Sequence, residues 1–228
     1  MAGERVAERL GYRCLSRETN LETAAREYGV PAEDLAVAME KRPAFWLRVL
    51  GERTAHLTFV RAALCAQARA DNLVFHGHVG HLLLPGVSHI IRVRVFADLD
   101  YRVTAAREQQ GLGPAEALAY IDKVDKERRQ WVRFLIGVEW DDPNLYDVVL
   151  HLSRVSLGTA CEMVTCLTES DAFKATPDSR RAMENLWLAS RVAAKLAVDP
   201  RTRDVAVEVV AEGGIVTITG ETRSQSLT

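Results

Sequence analysis

The sequence lacks features that would point at once to a class of function. Its 228 residues carry a formal net charge of -2, so no overall basic field favours nucleic acid as a partner. No apolar run reaches the length of a membrane span, and residues 1–10 are amphipathic and charged rather than a signal sequence. We therefore expect a cytoplasmic protein with no transmembrane segment and no nucleic-acid partner.

Cysteine is scarce and scattered. The four cysteines show no C-x-x-C spacing and stand mostly in apolar surroundings; they are Cys14, Cys65, Cys161 and Cys166. This pattern predicts buried free thiols in a reducing compartment. Hydrophobic residues make up 48% of the chain, which is enough for one large domain, or one domain and a small module.

The most informative stretch is 71–97, which reads as strand, glycine loop, short helix or turn, and strand. Apolar runs at 72–75 and 89–96 predict two buried strands, and helical patterns at 52–69 and 98–110 flank them. This order is typical of a parallel sheet covered by helices. Asp98 is expected to cap the second of these helices.

The loop at 76–81 is the first place to look for a site, because ligands of such sheets lie beyond the carboxyl ends of the strands. Its three histidines are His76, His78 and His81. Imidazoles at this spacing can converge on zinc, but no nearby cysteine, aspartate or glutamate completes a ligand set. We therefore predict ordinary loop histidines and no metal site.

Arginines recur on two predicted helices, 98–110 and 114–136. They are Arg102, Arg107, Arg128, Arg129 and Arg133. Arg129 and Arg133 share a helix face, whereas Asp125 can pair with Arg128 one turn away and leave the other two to reach a phosphate. Converging guanidinium groups suit a nucleotide phosphate. The alternative is a solvated helix face whose charges pair among themselves.

A polar segment at 169–178 separates the preceding sequence from a different pattern of secondary structure, and we interpret this segment as a linker. A helix at 179–198 follows, then two alternating strands at 205–210 and 215–219 with a turn at 212–214. The pattern predicts a small α+β module.

An ordered set of short motifs resembles the cytidylate-kinase-like family over residues 6–165. The motifs are LGY at 10–12, RE at 17–18, YGV at 28–30, Gly77 in VFHGHVGHLLLPG, the strand IIRVRVFA, Arg102, the D-x-x-R of 125–128 and WDDPNLYD at 140–147. The resemblance implies a P-loop nucleoside-monophosphate kinase fold. That fold is a three-layer α/β domain with parallel strands at 12–15, 72–76, 90–96 and 146–150.

The resemblance also implies a reaction, the transfer of a phosphoryl group from ATP to a CMP-like pyrimidine nucleotide with magnesium. Phosphate-binding residues would be Arg102, Arg128, Arg129 and Arg133, on a mobile lid, with Asp125 in support. Arg17, Gly77 and His78 would face the acceptor nucleotide. No catalytic side chain is implied, since phosphoryl transfer depends mainly on positioning and charge neutralisation.

The sequence departs from the family pattern at its start. No segment matches G-x-x-x-x-G-K-[ST], and the first residues already read as the helix that should follow that loop. Two explanations are open, a truncated start or a kinase fold that has lost its chemistry. Because the missing first strand would leave sheet edges open, we expect the chain to oligomerise.

The last 50 residues resemble part of a BON domain, through VAAKL at 192–196 and EVVAEGGIVTITGET at 208–222. The predicted organisation is a cytidylate-kinase-like domain at 1–168, a linker at 169–178 and a partial BON-like module at 179–228. Such modules bind proteins or phospholipid. The alternative function is therefore a non-catalytic nucleotide sensor or interaction protein, and the alternative structure is a helix and hairpin packed on the kinase-like domain.

Overall fold

The computed structural model describes residues 2–40, 49–77, 79–203 and 205–220, and the elements below belong to these ranges. The helices are α1 Ala2–Leu10, α2 Arg17–Tyr28, α3 Ala32–Glu40, α4 Val49–Ala68, α5 Gly80–Leu83, α6 Leu99–Gln110, α7 Pro114–Leu135, α8 Leu157–Thr168 and α9 Pro177–Val198. The strands are β1 Arg13–Ser16, β2 Leu73–His76, β3 Val93–Phe96, β4 Val148–His151, β5 Val207–Glu212 and β6 Ile215–Gly220.

The helix boundaries follow from local capping. Ser16 precedes α2, and its Oγ accepts a hydrogen bond of 3.0 Å from the Thr19 amide. The same helix ends at Gly29, whose φ of 69° is a left-handed conformation that glycine adopts without a Cβ clash. Thr176 caps α9 in the same manner, and Pro177 occupies the first helical turn, where no amide hydrogen is required.

Two strands form a parallel pair, as the sequence predicts for an α/β protein. Val93 lies opposite Val148, and Phe96 lies opposite His151. The hairpin of β5 and β6 is antiparallel, and β1 lies beside β2 in a third two-stranded sheet. The structure is thus of mixed α/β type, with small sheets. A continuous three-layer sheet stays a prediction.

The described residues form two compact units. The first comprises 2–14, 40 and 88–175, and the second comprises 15–39, 49–77, 79–87, 176–203 and 205–220. In the first unit α1 packs on α8 and α6 packs on α7, with Trp131 fully buried. In the second unit α4 packs on α2 and on α9, and the side chain of Leu64 on α4 is fully buried.

The C-terminal segment lies with the second unit because α9 packs along α4. Arg69 directly follows α4, and its guanidinium lies 3.8 Å from the Trp187 ring and 2.7 Å from the Glu184 carboxylate, both on α9. Within the predicted linker, a short 3-10 turn covers Asp171–Phe173 and α9 begins at Pro177. The division at 169–178 and the separate module stay predictions.

Several expectations are corrected. Cys65 and Cys161 are buried free thiols, but Cys14 and Cys166 are exposed. Asp98 stands at the start of α6, yet its side chain makes no capping hydrogen bond. Residues 44–50, for which the sequence also predicts a helix, lie mostly outside the described residues. None of the described helices is long and apolar enough to cross a membrane.

Trp131 is expected to anchor the first unit, since it is 1% exposed. Replacing it with alanine should lower the free energy of unfolding by about 3–5 kcal/mol, through lost burial and the cavity left behind. Leu118→Ala on the same helix is the matched control, because that side chain is 44% exposed. Urea titrations followed by circular dichroism would measure both variants. Equal losses would mean that α7 does not bury its Trp131 face.

Candidate functional site

The first unit contains a cleft of about 610 Å³ beside the carboxyl end of β3. Helices α6 and α7 and residues 140–141, from the loop after α7, form its other walls. Ligands of α/β proteins commonly bind beyond the carboxyl ends of parallel strands. The cleft therefore lies where such a fold places a binding site.

A tight connection sets the two helices beside each other. Gly111 ends α6 with a φ of 69°, and its amide hydrogen-bonds to the Arg107 carbonyl. Pro114 then opens α7, and the Glu116 carboxylate accepts a 2.8 Å hydrogen bond from the Gly113 amide. The segment Gly111–Gly113 thus joins the two helices that carry the predicted arginines.

Arg102 and Asp125 form the best-defined ion pair of the cleft. The two guanidinium nitrogens donate to the two carboxylate oxygens at 2.8 Å and 2.7 Å. This hydrogen bonding raises the pKa of Arg102 above its usual value. The two residues are 23 positions apart in sequence, whereas the local sequence pattern predicted Arg128 as the partner of Asp125. The paired geometry holds both side chains at the wall of the cleft.

The other predicted arginines lie farther along α7. The guanidinium of Arg128 is 5.9 Å from the centroid of the Trp140 ring, and Nη1 of Arg129 is 3.9 Å from the Asp141 carboxylate. Arg133 is 3.3 Å from Glu139 and is not among the residues that line the cleft. The sequence predicted that Asp125 leaves Arg129 and Arg133 to reach a phosphate, but in the structure each of the two already lies beside an acidic side chain. The chain turns at Gly137, with a φ of 77°, and brings residues 139–141 back beside the end of α7.

Arg94 lines the cleft as well, although sequence reasoning did not name it as a site residue. Its side chain hydrogen-bonds to the Asp141 carboxylate and to the Trp140 carbonyl, the latter at 3.4 Å. Tyr146 donates a 3.0 Å hydrogen bond to the same carbonyl, and burial raises the pKa of its phenol. Two features of the sequence could have pointed to Arg94 as a site residue. It is an arginine within an otherwise apolar strand, and the WDDPNLYD motif contains its acidic partner, Asp141.

A polar contact joins the ends of the two parallel strands. His151 Nε2 lies 3.1 Å from the Asp98 carboxylate, and the His151 ring stacks on Phe96 with centroids 4.4 Å apart. The Asp98 amide donates a 2.8 Å hydrogen bond to Ser153 Oγ. Asp98 therefore fastens β4 to the start of α6, which explains why its side chain does not cap the helix.

The predicted acceptor residues lie in the second unit. Arg17 begins α2, and its Nε lies 3.0 Å from the Glu18 carboxylate. A Cβ added at Gly77 would lie 3.3 Å from the Arg17 Cβ, so these two residues are neighbours. His78 is outside the described residues. Elsewhere in the described chain, no three histidine, cysteine, aspartate or glutamate side chains could jointly hold a metal ion.

The Arg102–Asp125 pair should be energetically coupled because its two short hydrogen bonds are only about one-third exposed. A double-mutant cycle with Arg102→Gln and Asp125→Asn should give a coupling energy of about 1 kcal/mol in thermal or urea unfolding. The matched cycle uses Arg133→Gln and Glu139→Gln, whose side chains are 74% and 62% exposed, and should give almost none. Similar coupling energies in both cycles would contradict a distinct role of the half-buried Arg102–Asp125 pair.

Comparisons with known proteins agree with this fold. No curated protein matches the sequence. The crystal structure of an uncharacterized protein from Eubacterium ventriosum ATCC 27560 matches with a TM-score of 0.58 and 18% identity, over 74% of this chain and 89% of that one. This likeness concerns the fold alone.

The sequence profile of the cytidylate kinase-like family matches residues 1–154, which include every residue that lines the cleft. The family predicted from the motifs is confirmed, and the chain belongs to the cytidylate kinase-like family.

Proposed function

We propose that the protein is a nucleotide-binding, kinase-like protein that holds the phosphate groups of its nucleotide in the cleft beside β3. The observation that carries this proposal is the convergence of four arginines from three elements on one cleft. They are Arg94, Arg102, Arg128 and Arg129. Among the described residues, two carboxylates line the same cleft, those of Asp125 and Asp141, which leaves an excess of two positive charges there. Such an excess suits a phosphate dianion.

Aromatic side chains complete the proposed nucleotide site. Tyr101, Tyr120 and Trp140 line the cleft together with the arginines. Planar rings bind the faces of nucleobases by stacking, while guanidinium groups bind phosphate oxygens. The proposed ligand is a CMP-like pyrimidine nucleotide, as the family suggests. Arg17 and Gly77, which neighbour each other in the second unit, are retained as proposed acceptor-nucleotide residues.

The proposed reaction is phosphoryl transfer from ATP to this nucleotide. Kinases of this kind use magnesium, but the described residues offer no cluster of metal-ligating side chains, so we assign no step to a metal. The sequence contains no G-x-x-x-x-G-K-[ST] segment. We therefore propose turnover for a chain to which a phosphate loop is supplied. The role of this chain's own arginines is to bind and orient phosphate groups.

Nucleotide binding would test the proposal directly. Calorimetric titration with CMP and ATP should show binding, and Arg128→Ala with Arg129→Ala should weaken it at least tenfold, since a hydrogen bond to a charged group contributes about 1.5–3 kcal/mol. Arg107→Ala is the matched control, because that arginine is exposed on α6 and is not among the cleft-lining residues. It should leave the affinity within about twofold of that of the unchanged protein, because an exposed charge outside the cleft acts on a ligand only through a field that salt screens.

Unchanged affinity in the double variant would contradict the proposed site. If the site is supported, an assay of ADP formation would separate the kinase hypothesis from the hypothesis of a non-catalytic nucleotide sensor. Binding without transfer, in a chain with a supplied phosphate loop, would favour the non-catalytic nucleotide sensor.

We propose a partner surface in the C-terminal segment. The order of α9, β5 and β6 supports a partial BON-like module, and large apolar side chains on the hairpin are exposed. They are Val210 at 53%, Ile215 at 74% and Ile218 at 49%. Val210 and Ile215 stand on one face, since Val210 lies opposite Thr217 and Ile215 lies opposite Glu212. Exposed apolar side chains of this size suit a protein or phospholipid partner, or a second copy of the chain.

Sedimentation velocity would test self-association. The unchanged protein is expected to be larger than a monomer, and Val210→Lys with Ile215→Lys should shift it toward the monomer by placing charge on this face. Thr217→Lys adds a charge to the same face without removing an apolar side chain, and it should have a smaller effect. A monomeric unchanged protein would contradict the oligomer prediction.

A further inference from the structure

The Asp141 carboxylate lies between two arginines that come from different elements. One of its oxygens is hydrogen-bonded to Arg94 on β3, and the other lies 3.9 Å from Nη1 of Arg129 on α7. A phosphate group has the same requirement, since separate oxygens accept hydrogen bonds from separate guanidinium groups. Asp141 thus presents its two oxygens as a phosphate would.

The second acidic residue of the cleft behaves differently. Asp125 binds one arginine with both oxygens, and that pair is about one-third exposed. Asp141 divides its oxygens between two arginines, and its side chain is 54% exposed. An exposed carboxylate with one long contact is more easily replaced by a competing anion than a half-buried, doubly hydrogen-bonded one. Asp141 is therefore the acidic group that a ligand would displace.

Arg94 has other contacts that hold it in place. Its Nη1 donates a 3.4 Å hydrogen bond to the Trp140 carbonyl, and its guanidinium lies 5.5 Å from the centroid of the Tyr146 ring. Tyr146 fixes that carbonyl by its own 3.0 Å hydrogen bond. Because these contacts do not involve the Asp141 side chain, Arg94 keeps its orientation when the carboxylate moves away.

We propose that Arg94 and Arg129 form a phosphate subsite in which the Asp141 carboxylate takes the place of a phosphate group, and that a nucleotide phosphate binds there by displacing it. The inference rests on the proposed function and deepens it. A phosphate dianion carries about twice the charge of a carboxylate and competes well for two guanidinium groups. Asp141 then acts as an internal competitor that lowers the apparent affinity for phosphate, because only the fraction of molecules with the carboxylate displaced can bind.

The experiment compares Asp141→Asn with Glu139→Gln. Both changes remove one negative charge from the same loop, but Glu139 pairs with Arg133, which is not a cleft-lining residue. Calorimetry with inorganic pyrophosphate and with CMP should show that Asp141→Asn binds at least fivefold more tightly than Glu139→Gln. Adding Arg94→Lys to Asp141→Asn should abolish most of this gain, because lysine lacks the planar fork. Circular dichroism would confirm that each variant is folded.

Each result separates this inference from the proposed function. Equal affinities of the Asp141→Asn and Glu139→Gln variants would reduce the effect to a general change of charge and overturn the subsite. Weaker binding by Asp141→Asn would make Asp141 a residue that positions the arginines, which also overturns it. In both cases binding by the unchanged protein would leave the proposed function standing. If neither the unchanged protein nor Asp141→Asn binds either probe, both proposals fail.

Discussion

Repulsion between like charges is the constraint on which the first unit depends. Four arginines line one cleft, and like charges in a partly desolvated site repel each other more strongly than they would in bulk water. The fold offsets this repulsion with acids from different places. Asp125 comes from α7 itself, whereas Asp141 comes from the loop that follows it. The turn at Gly137 is what makes the second contribution possible.

The parallel pairing of β3 and β4 decides where this charge lies. The Asp147 carboxylate accepts a 2.7 Å hydrogen bond from the Arg92 amide, and the Arg92 carbonyl accepts one of 2.8 Å from the Asp147 amide. These bonds fix the register at the start of the strands, so that Phe96 and His151 finish side by side. The Asp98–His151 contact closes the other end. Arg94 lies between the Arg92–Asp147 and Asp98–His151 contacts, which hold both ends of the strand pair. This strand residue can therefore keep a fixed position in the lining of the cleft.

The sequence predicted those parts of the structure that depend on local patterns. The predicted strands at 90–96 and 146–150 appear as Val93–Phe96 and Val148–His151, because runs of β-branched residues and nearby turn residues define strands locally. Contacts between distant residues were not predictable in this way. The partner of Asp125 is 23 positions away, and an (i, i+3) rule could only suggest Arg128. The exposure of Cys14 likewise depends on how the chain packs around its strand, which the local sequence does not define.

Family membership and the arginine-lined cleft both support the proposed nucleotide-binding function, but they cover different parts of the chain. The family match ends at residue 154, so it includes the cleft and leaves α9, β5 and β6 outside. Arginines at Arg102 and Arg128 could have been expected from the family motifs, but Arg94 and Asp141 take part only because strand pairing and a loop bring them together. In the proposed subsite the acids are shared unequally among the arginines, so that Asp125 would keep its place while Asp141 gives way to a phosphate. Such an exchange requires a tightly held pair, here Arg102 and Asp125, to keep the wall intact while a looser carboxylate moves.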